Sequence, residues 1–99
     1  MPQLALNIPV DHPAFAGHFP QRPIVPGVVL LDAGILLVEA HCGRRVTGLT
    51  SAKFLSPAGP GEALTIDFSI DEREARFDIL AADRKVASGR MRLALSSPA

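Results

Sequence analysis

Between Val28 and Ala40 the chain carries only two charged residues, Asp32 and Glu39, in a run otherwise built from Val, Leu, Ile, Ala and Gly. The run is too short to cross a bilayer, which takes about 20 apolar residues. It is apolar on nearly every side, so a core helix enclosed by other elements is expected. Pro26 suits the first helical position, where its missing N–H would have no partner anyway. Gly43 supplies a C-terminal stop. A helix over 26–42 would be about 25 Å long at ~1.5 Å per residue.

The segment leading into this helix is stiff. Pro13, Pro20, Pro23 and Pro26 fall within fourteen residues, and each fixes its own φ and biases the residue before it towards extended geometry. Gly17 precedes His18 in this segment, so the imidazole sits on a loop with few conformations to lose. Asp32 is the anomaly of the helix. A carboxylate in apolar surroundings finds partners or keeps its proton. One reading makes it a structural acid bonded to a loop backbone. The other pairs it with His18 for acid–base work.

Ninety-nine residues make one domain, 1–99. Ten basic residues balance ten acidic ones, which argues against a nucleic-acid binder or a polybasic membrane segment. Hydrophobic residues are 47% of the chain and the mean hydropathy is +0.24. A small domain has limited volume in which to bury so much, so part of the excess is expected in a subunit interface. Cys42 is the single cysteine and excludes an intrachain disulfide. The N-terminus lacks the basic and apolar blocks of a secretory signal; a reducing cytoplasm is the expected location.

Strands are expected on both sides of the helix. Leu4, Leu6, Ile8 and Val10 alternate with other residues over 3–10, a period of two, with Pro9 near the strand's end. Residues 46–55 are rich in β-formers and mixed on both faces. Residues 56–61, SPAGPG, are turn chemistry. Over 62–70, Leu64, Ile66, Phe68 and Ile70 point inward. Asp71 to Arg73 form a hairpin turn. Over 74–82, Ala75, Phe77, Ile79 and Ala81 share a face. Asp83 and Arg84 turn the chain, and 85–95 form the last strand with Ala87, Met91, Leu93 and Leu95 inward. The class is α+β: a strand, a long helix, then four strands in an antiparallel meander. One antiparallel sheet wrapped around the helix buries it most economically.

The run Gly17-His18-Phe19-Pro20, Pro23-Ile24-Val25-Pro26-Gly27-Val28-Val29 and Asp32-Ala33 resembles the signature of the 3-hydroxyacyl-acyl-carrier-protein dehydratases of bacterial fatty acid synthesis, with the acid fourteen residues after the histidine. Lys53-Phe54, Pro57, Pro60-Gly61 and Glu62 resemble a second segment of that family. The resemblance implies a hotdog fold, an antiparallel sheet around one central helix, with two subunits joining their sheets edge to edge. Pairing would also remove an exposed strand edge. The implied reaction is dehydration of a 3-hydroxyacyl thioester to the trans-2-enoyl thioester, with no metal or bound cofactor. The substrate hangs on the phosphopantetheine of an acyl carrier protein. The resemblance implies His18 as base, Asp32 as acid and the Gly27 backbone N–H as oxyanion donor, with His18 and Asp32 of one site coming from different subunits. Gln21 stands where the family usually has Gly, and Asp32 where Glu is commoner. Short dehydratases of this type also occur in aryl polyene and polyketide-like clusters.

Other polar residues have plainer readings. Glu39 is expected to pair with Arg44 or Arg45, which otherwise sit in a solvated turn. Cys42 is expected to be a packed thiol, since a helix C-terminus does not activate a thiolate. His12, His41 and Cys42 lack metal-ligand spacing. Arg22, Lys53 and Lys85 are candidates for guiding an acidic carrier protein, or simply solvated. Two alternatives stay open: a hotdog thioesterase, and a non-catalytic subunit that pairs with an active dehydratase. A homodimer, a higher homo-oligomer or a heterodimer with a dehydratase-like subunit would each use the excess apolar surface.

Overall fold

A computed structural model describes residues 3–6, 25, 27–59 and 61–95. Strand β1 spans Gln3–Leu6, helix α1 Gly27–Cys42, β2 Val46–Phe54, β3 Leu64–Ile70, β4 Glu74–Ala81 and β5 Arg84–Leu93. All pairings are antiparallel and form one five-stranded sheet in the order β1-β3-β4-β5-β2. The expected four-strand meander is therefore corrected. Only β3, β4 and β5 follow one another across the sheet; β2 lies on the far side of β5, at an edge. Helix α1 carries the chain between the two edge strands, and the hairpins fill the space between.

The inward faces follow the alternation closely. Leu64, Ile66 and Phe68 of β3 are buried, as are Ala75, Phe77, Ile79 and Ala81 of β4 and Ala87, Met91 and Leu93 of β5. Ile70 is only half-buried. Leu95, expected inward, lies beyond β5 and is 74% exposed. Val86 and Ala87 are both buried. The pairing of β4 with β5 shifts register between Ile79 and Leu80, and an irregularity of this kind breaks strict alternation.

The turns show why the strands end where they do. Asp71 accepts hydrogen bonds on Oδ1 from the backbone N–H of Arg73 and of Glu74, at 2.7 and 2.8 Å. Those two N–H groups hold its carboxyl below the usual range. The next turn is Ala82–Asp83, one residue earlier than expected, with Ala82 at φ 56° and Arg84 already paired to Ala81. Gly43 ends α1 at φ 69°, donating to the Glu39 carbonyl at 2.9 Å. Such a left-handed residue is cheapest as glycine.

Helix α1 lies on the sheet by one face only. Leu30, Gly34 and Val38, four apart, are its buried residues. A Cβ on Gly34 would stand 3.2 Å from Cδ1 of Ile66. Glycine weakens a helix interior by about 1 kcal/mol relative to alanine, and here it lets the helix settle close on β3. The opposite stripe, Val28, Asp32, Leu36 and Ala40, is exposed, with Val28 at 71% and Leu36 at 60%. The expectation of a helix enclosed on all sides is thus corrected for the single chain. Five strands curve around one side of the helix and leave the other open.

Beyond the helix, Glu39 does not pair with Arg44 or Arg45. Its Oε2 accepts the Val46 N–H at 2.8 Å and so fixes the start of β2. Arg44 is not merely solvated. It donates to the carbonyls of Ala94 and Asp71, both at 2.8 Å, and to that of Glu72. One guanidinium thus ties the helix exit to the β3–β4 turn and to the end of β5.

Candidate active site

The N-terminal end of α1 is built against the segment that follows β2. The Val25 N–H donates to the Ala58 carbonyl at 2.7 Å, and both side chains are buried. The N–H groups of Leu55 and Ser56 converge on the Val86 carbonyl. Arg84 donates to Ser56 Oγ and to the Pro57 carbonyl, and pairs with Glu62 at 2.5 Å. Glu62 Oε1 accepts the Gly59 N–H at 3.1 Å. Leu55, Ser56, Pro57 and Glu62 are therefore tied to β5, and Ala58 between them to the approach of α1.

These contacts give Glu62 a defined acid response. Its carboxyl lies below the ordinary 4.5, held there first by the Gly59 N–H and then by Arg84. A depressed folded-state pKa stabilises above the unfolded value, and the contribution is lost as pH falls through the folded value. The melting temperature of wild type should exceed that of Glu62→Gln above pH 4.5, and the gap should close as pH falls below it. A gap that stays constant through that window would show that the carboxylate's charge is not what holds the segment.

Next to this segment lies a cleft of about 400 Å³, lined by Val25, Gly27, Leu30, Phe54, Leu55 and Pro57 among others. A larger hollow of about 710 Å³ lies on the sheet's outer face, among Ser51, Lys53, Ser69, Arg76, Ser88 and Arg90. Its polar lining suits an acyl chain poorly. The smaller cleft is apolar and touches the first turn of α1, where backbone N–H groups have no partner within the helix. Gly27 is the first residue of α1. A Cβ there would stand 2.6 Å from Cζ of Phe54, so any larger residue would push that half-exposed ring aside.

Asp32 lies one turn beyond Val28 on the exposed stripe of α1. It is an exposed acid, not a buried one as its apolar neighbours suggested. His18 and the proline-rich segment before Val25 lie outside the described residues, as do His12, Arg22 and Pro60. Lys53 and Lys85 are exposed. Cys42 is half-buried, with Sγ 3.8 Å from the Arg44 carbonyl. Phe54 stands in the sequence only as part of a motif; its place beside Gly27 is not visible there, because the two lie 27 positions apart. Among the described residues, no helix is long and apolar enough to cross a membrane.

The family model for ApeI-like dehydratases, described as ApeI dehydratase, matches residues 2–90. The chain belongs to that family. It is 36% identical over 87 residues to the 3-hydroxyacyl-[acyl-carrier-protein] dehydratase FabZ of Chlamydia trachomatis serovar L2, an alignment covering 77% of this chain and 52% of the relative. The chain thus spans about half the length of that curated relative. Among solved structures it is similar to the dehydratase heterocomplex ApeI:P from Xenorhabdus doucetiae, with a TM-score of 0.72 and 25% identity over 92% of this chain and 84% of that one. It also superposes on the fluoroacetyl-CoA-specific thioesterase FlK, with a TM-score of 0.61 and 16% identity over 97% of this chain and 88% of that one. That likeness concerns the fold alone. The ApeI-like chain has the α+β hotdog architecture, an antiparallel sheet curved around one helix.

Proposed function

We propose that this ApeI-like chain dehydrates 3-hydroxyacyl thioesters carried on the phosphopantetheine of an acyl carrier protein. The observation that carries the reading is the placement of an apolar cleft against the helix start at Gly27, with Asp32 about 7.5 Å further along the axis at ~1.5 Å per residue. The His18 imidazole, a side chain suited to proton transfer at neutral pH, removes a proton from C2. The electron pair moves towards the thioester carbonyl, and the Gly27 N–H, at the positive end of α1, stabilises the oxyanion. As the pair returns, the C3–O bond breaks, Asp32 gives its proton to the leaving hydroxyl, and water departs. The product is the trans-2-enoyl thioester. No metal or bound cofactor enters this scheme.

An exposed carboxyl is poorly placed to act as an acid at neutral pH, because burial is what favours the protonated form. The scheme therefore needs a cover for Asp32. A second subunit fits, being another copy of this chain or a dehydratase-like partner. Two features support it: the exposed stripe of Val28, Asp32 and Leu36, and β2, an edge strand whose residues from Thr47 to Phe54 are all exposed. A long uncovered edge is a template for pairing. The heterocomplex seen for the ApeI:P relative favours testing an unlike partner alongside the homodimer.

Incubation with 3-hydroxyacyl carrier proteins, read by mass spectrometry, tests the proposal. The expected result is loss of one water from the acyl group. Release of free thiol without enoyl product would favour a thioesterase. An inert homodimer that activates a co-expressed dehydratase-like subunit would make this chain the non-catalytic partner.

A further inference from the structure

We infer that the outer face of the sheet holds a binding site for a small organic phosphate, centred on Arg76 and Arg90. The strand register sets it up. Ser69 pairs with Arg76, Arg76 with Arg90, and Arg90 with Ser51, so one row of residues crosses β3, β4, β5 and β2. In the next row Ser88 stands between Asp78 and Lys53. Both arginines are exposed. Arg90 precedes buried Met91, whose Cε lies 3.7 Å from where a Cβ on Gly34 of α1 would stand. Neighbouring residues of a strand point to opposite sides, so the row faces away from α1 and its cleft.

Like charges directly opposite, with Cβ atoms about 5 Å apart, work against the pairing of two strands. One row further on, opposite charges meet instead, Glu74 against Arg92. Glu74 also reaches Arg90, though only at 3.6 Å. Arg76 makes no ion pair among the described residues. The hollow around the two arginines is lined by Lys53, Arg76 and Arg90 against Asp78, three cations to one carboxylate, a net charge of +2. Asp67, opposite Asp78, lies outside it. An anion between the guanidinium groups would remove their repulsion. Their forks match phosphate oxygens two at a time, and the flanking serines add hydroxyls. At about 710 Å³ the hollow has room for more than a bare phosphate, hence for a hydroxylated body over Ser51, Ser69 and Ser88. A carrier protein docked here would hold its arm on the wrong side of the sheet for the cleft. A second subunit joined along β2 extends the sheet in its own plane. The arginines lie inside that edge, on β4 and β5, so such pairing leaves them open.

Calorimetric titration of the whole chain with ribose 5-phosphate, inorganic phosphate and ribose tests the site. Ribose 5-phosphate should bind with a Kd of about 1 mM or tighter and raise the melting temperature. Inorganic phosphate should bind more weakly and ribose not at all, and added salt should weaken both phosphates. Arg76→Gln and Arg90→Gln should each cost about tenfold in affinity, the loss of one charge-assisted hydrogen bond. Arg76→Gln should not lower the melting temperature of the free protein, because it relieves the like-charge contact. Lys85→Gln, outside the hollow, should bind as wild type does. If a glutamine variant does not fold, the lysine variant, which keeps the charge and loses the fork, carries the comparison. Absence of phosphate binding at low salt, or binding that survives both substitutions in folded protein, overturns the site. Equal affinity for the two phosphates overturns the organic body. An acidic carrier protein that needs both arginines to bind, where neither phosphate binds, would make the face a protein-docking surface instead. None of these readouts requires activity, so the site stands or falls apart from the dehydratase reading.

Discussion

Asp32→Asn should reduce dehydration by about 10²–10⁴-fold, the usual contribution of a positioned acid or base, and leave the melting temperature nearly unchanged. The second half follows from the exposure of Asp32 and from its having no hydrogen bond or ion pair among the described residues. Exposed substitutions away from such contacts usually stay within about 0.5 kcal/mol. Asparagine keeps the shape and loses the transferable proton. The variant thereby separates the two readings that the sequence left open. A structural acid would show a fall in stability with activity kept in proportion to folded protein. A chemical acid shows the reverse.

The same substitution tests the shared site. A chain carrying His18→Ala lacks the proposed base, and one carrying Asp32→Asn lacks the proposed acid. Co-refolding the two should return one competent site per mixed dimer, because one of its two sites then draws both groups from unmutated positions. Verified mixed dimers that remain inactive would place His18 and Asp32 in the same subunit's site, or remove one of them from the chemistry.

Phe68→Ala should cost about 3–5 kcal/mol, the range for deleting a buried aromatic side chain. A domain of this size is held by about 5–15 kcal/mol in all, so the variant loses a large share of its margin. Phe68 is fully buried in β3, directly opposite Phe77 in the β3–β4 register. The His41 ring, in the last turn of α1, meets it edge-on with centroids 5.0 Å apart. Phe68 thus supports both the sheet and the helix that carries Asp32 and Gly27. Urea unfolding should show a lower midpoint with an unchanged slope, and Phe68→Leu should recover most of the loss. A cost below about 1 kcal/mol would mean that this end of the helix does not depend on β3.

Much of the fold is local, and local patterns are what a single chain displays. Alternation in LTIDFSI and EARFDILA marks two strands and their inward faces because side chains of a strand point to opposite sides in turn. Gly43 marks the end of the helix because a left-handed residue there is cheapest without a Cβ. The motif of the proposed site is likewise a local one, a histidine and an acid fourteen residues apart and a glycine at the helix start. Arg44 was not legible, since its three carbonyl acceptors lie 27 to 50 residues away. Neither was the ring of Phe54 over Gly27.

By itself, then, the sequence determined which residues could form strands, where the helix runs, and which histidine and acid carry the family's spacing. The tertiary structure alone decided that β2 crosses to the far edge beside β5, and that Asp32 stands on an uncovered stripe. Periodicity reports which way a side chain faces along its own element. It carries no record of which strand will become its neighbour, or of which helix face the curved sheet will leave open, because both depend on contacts between distant parts of the chain.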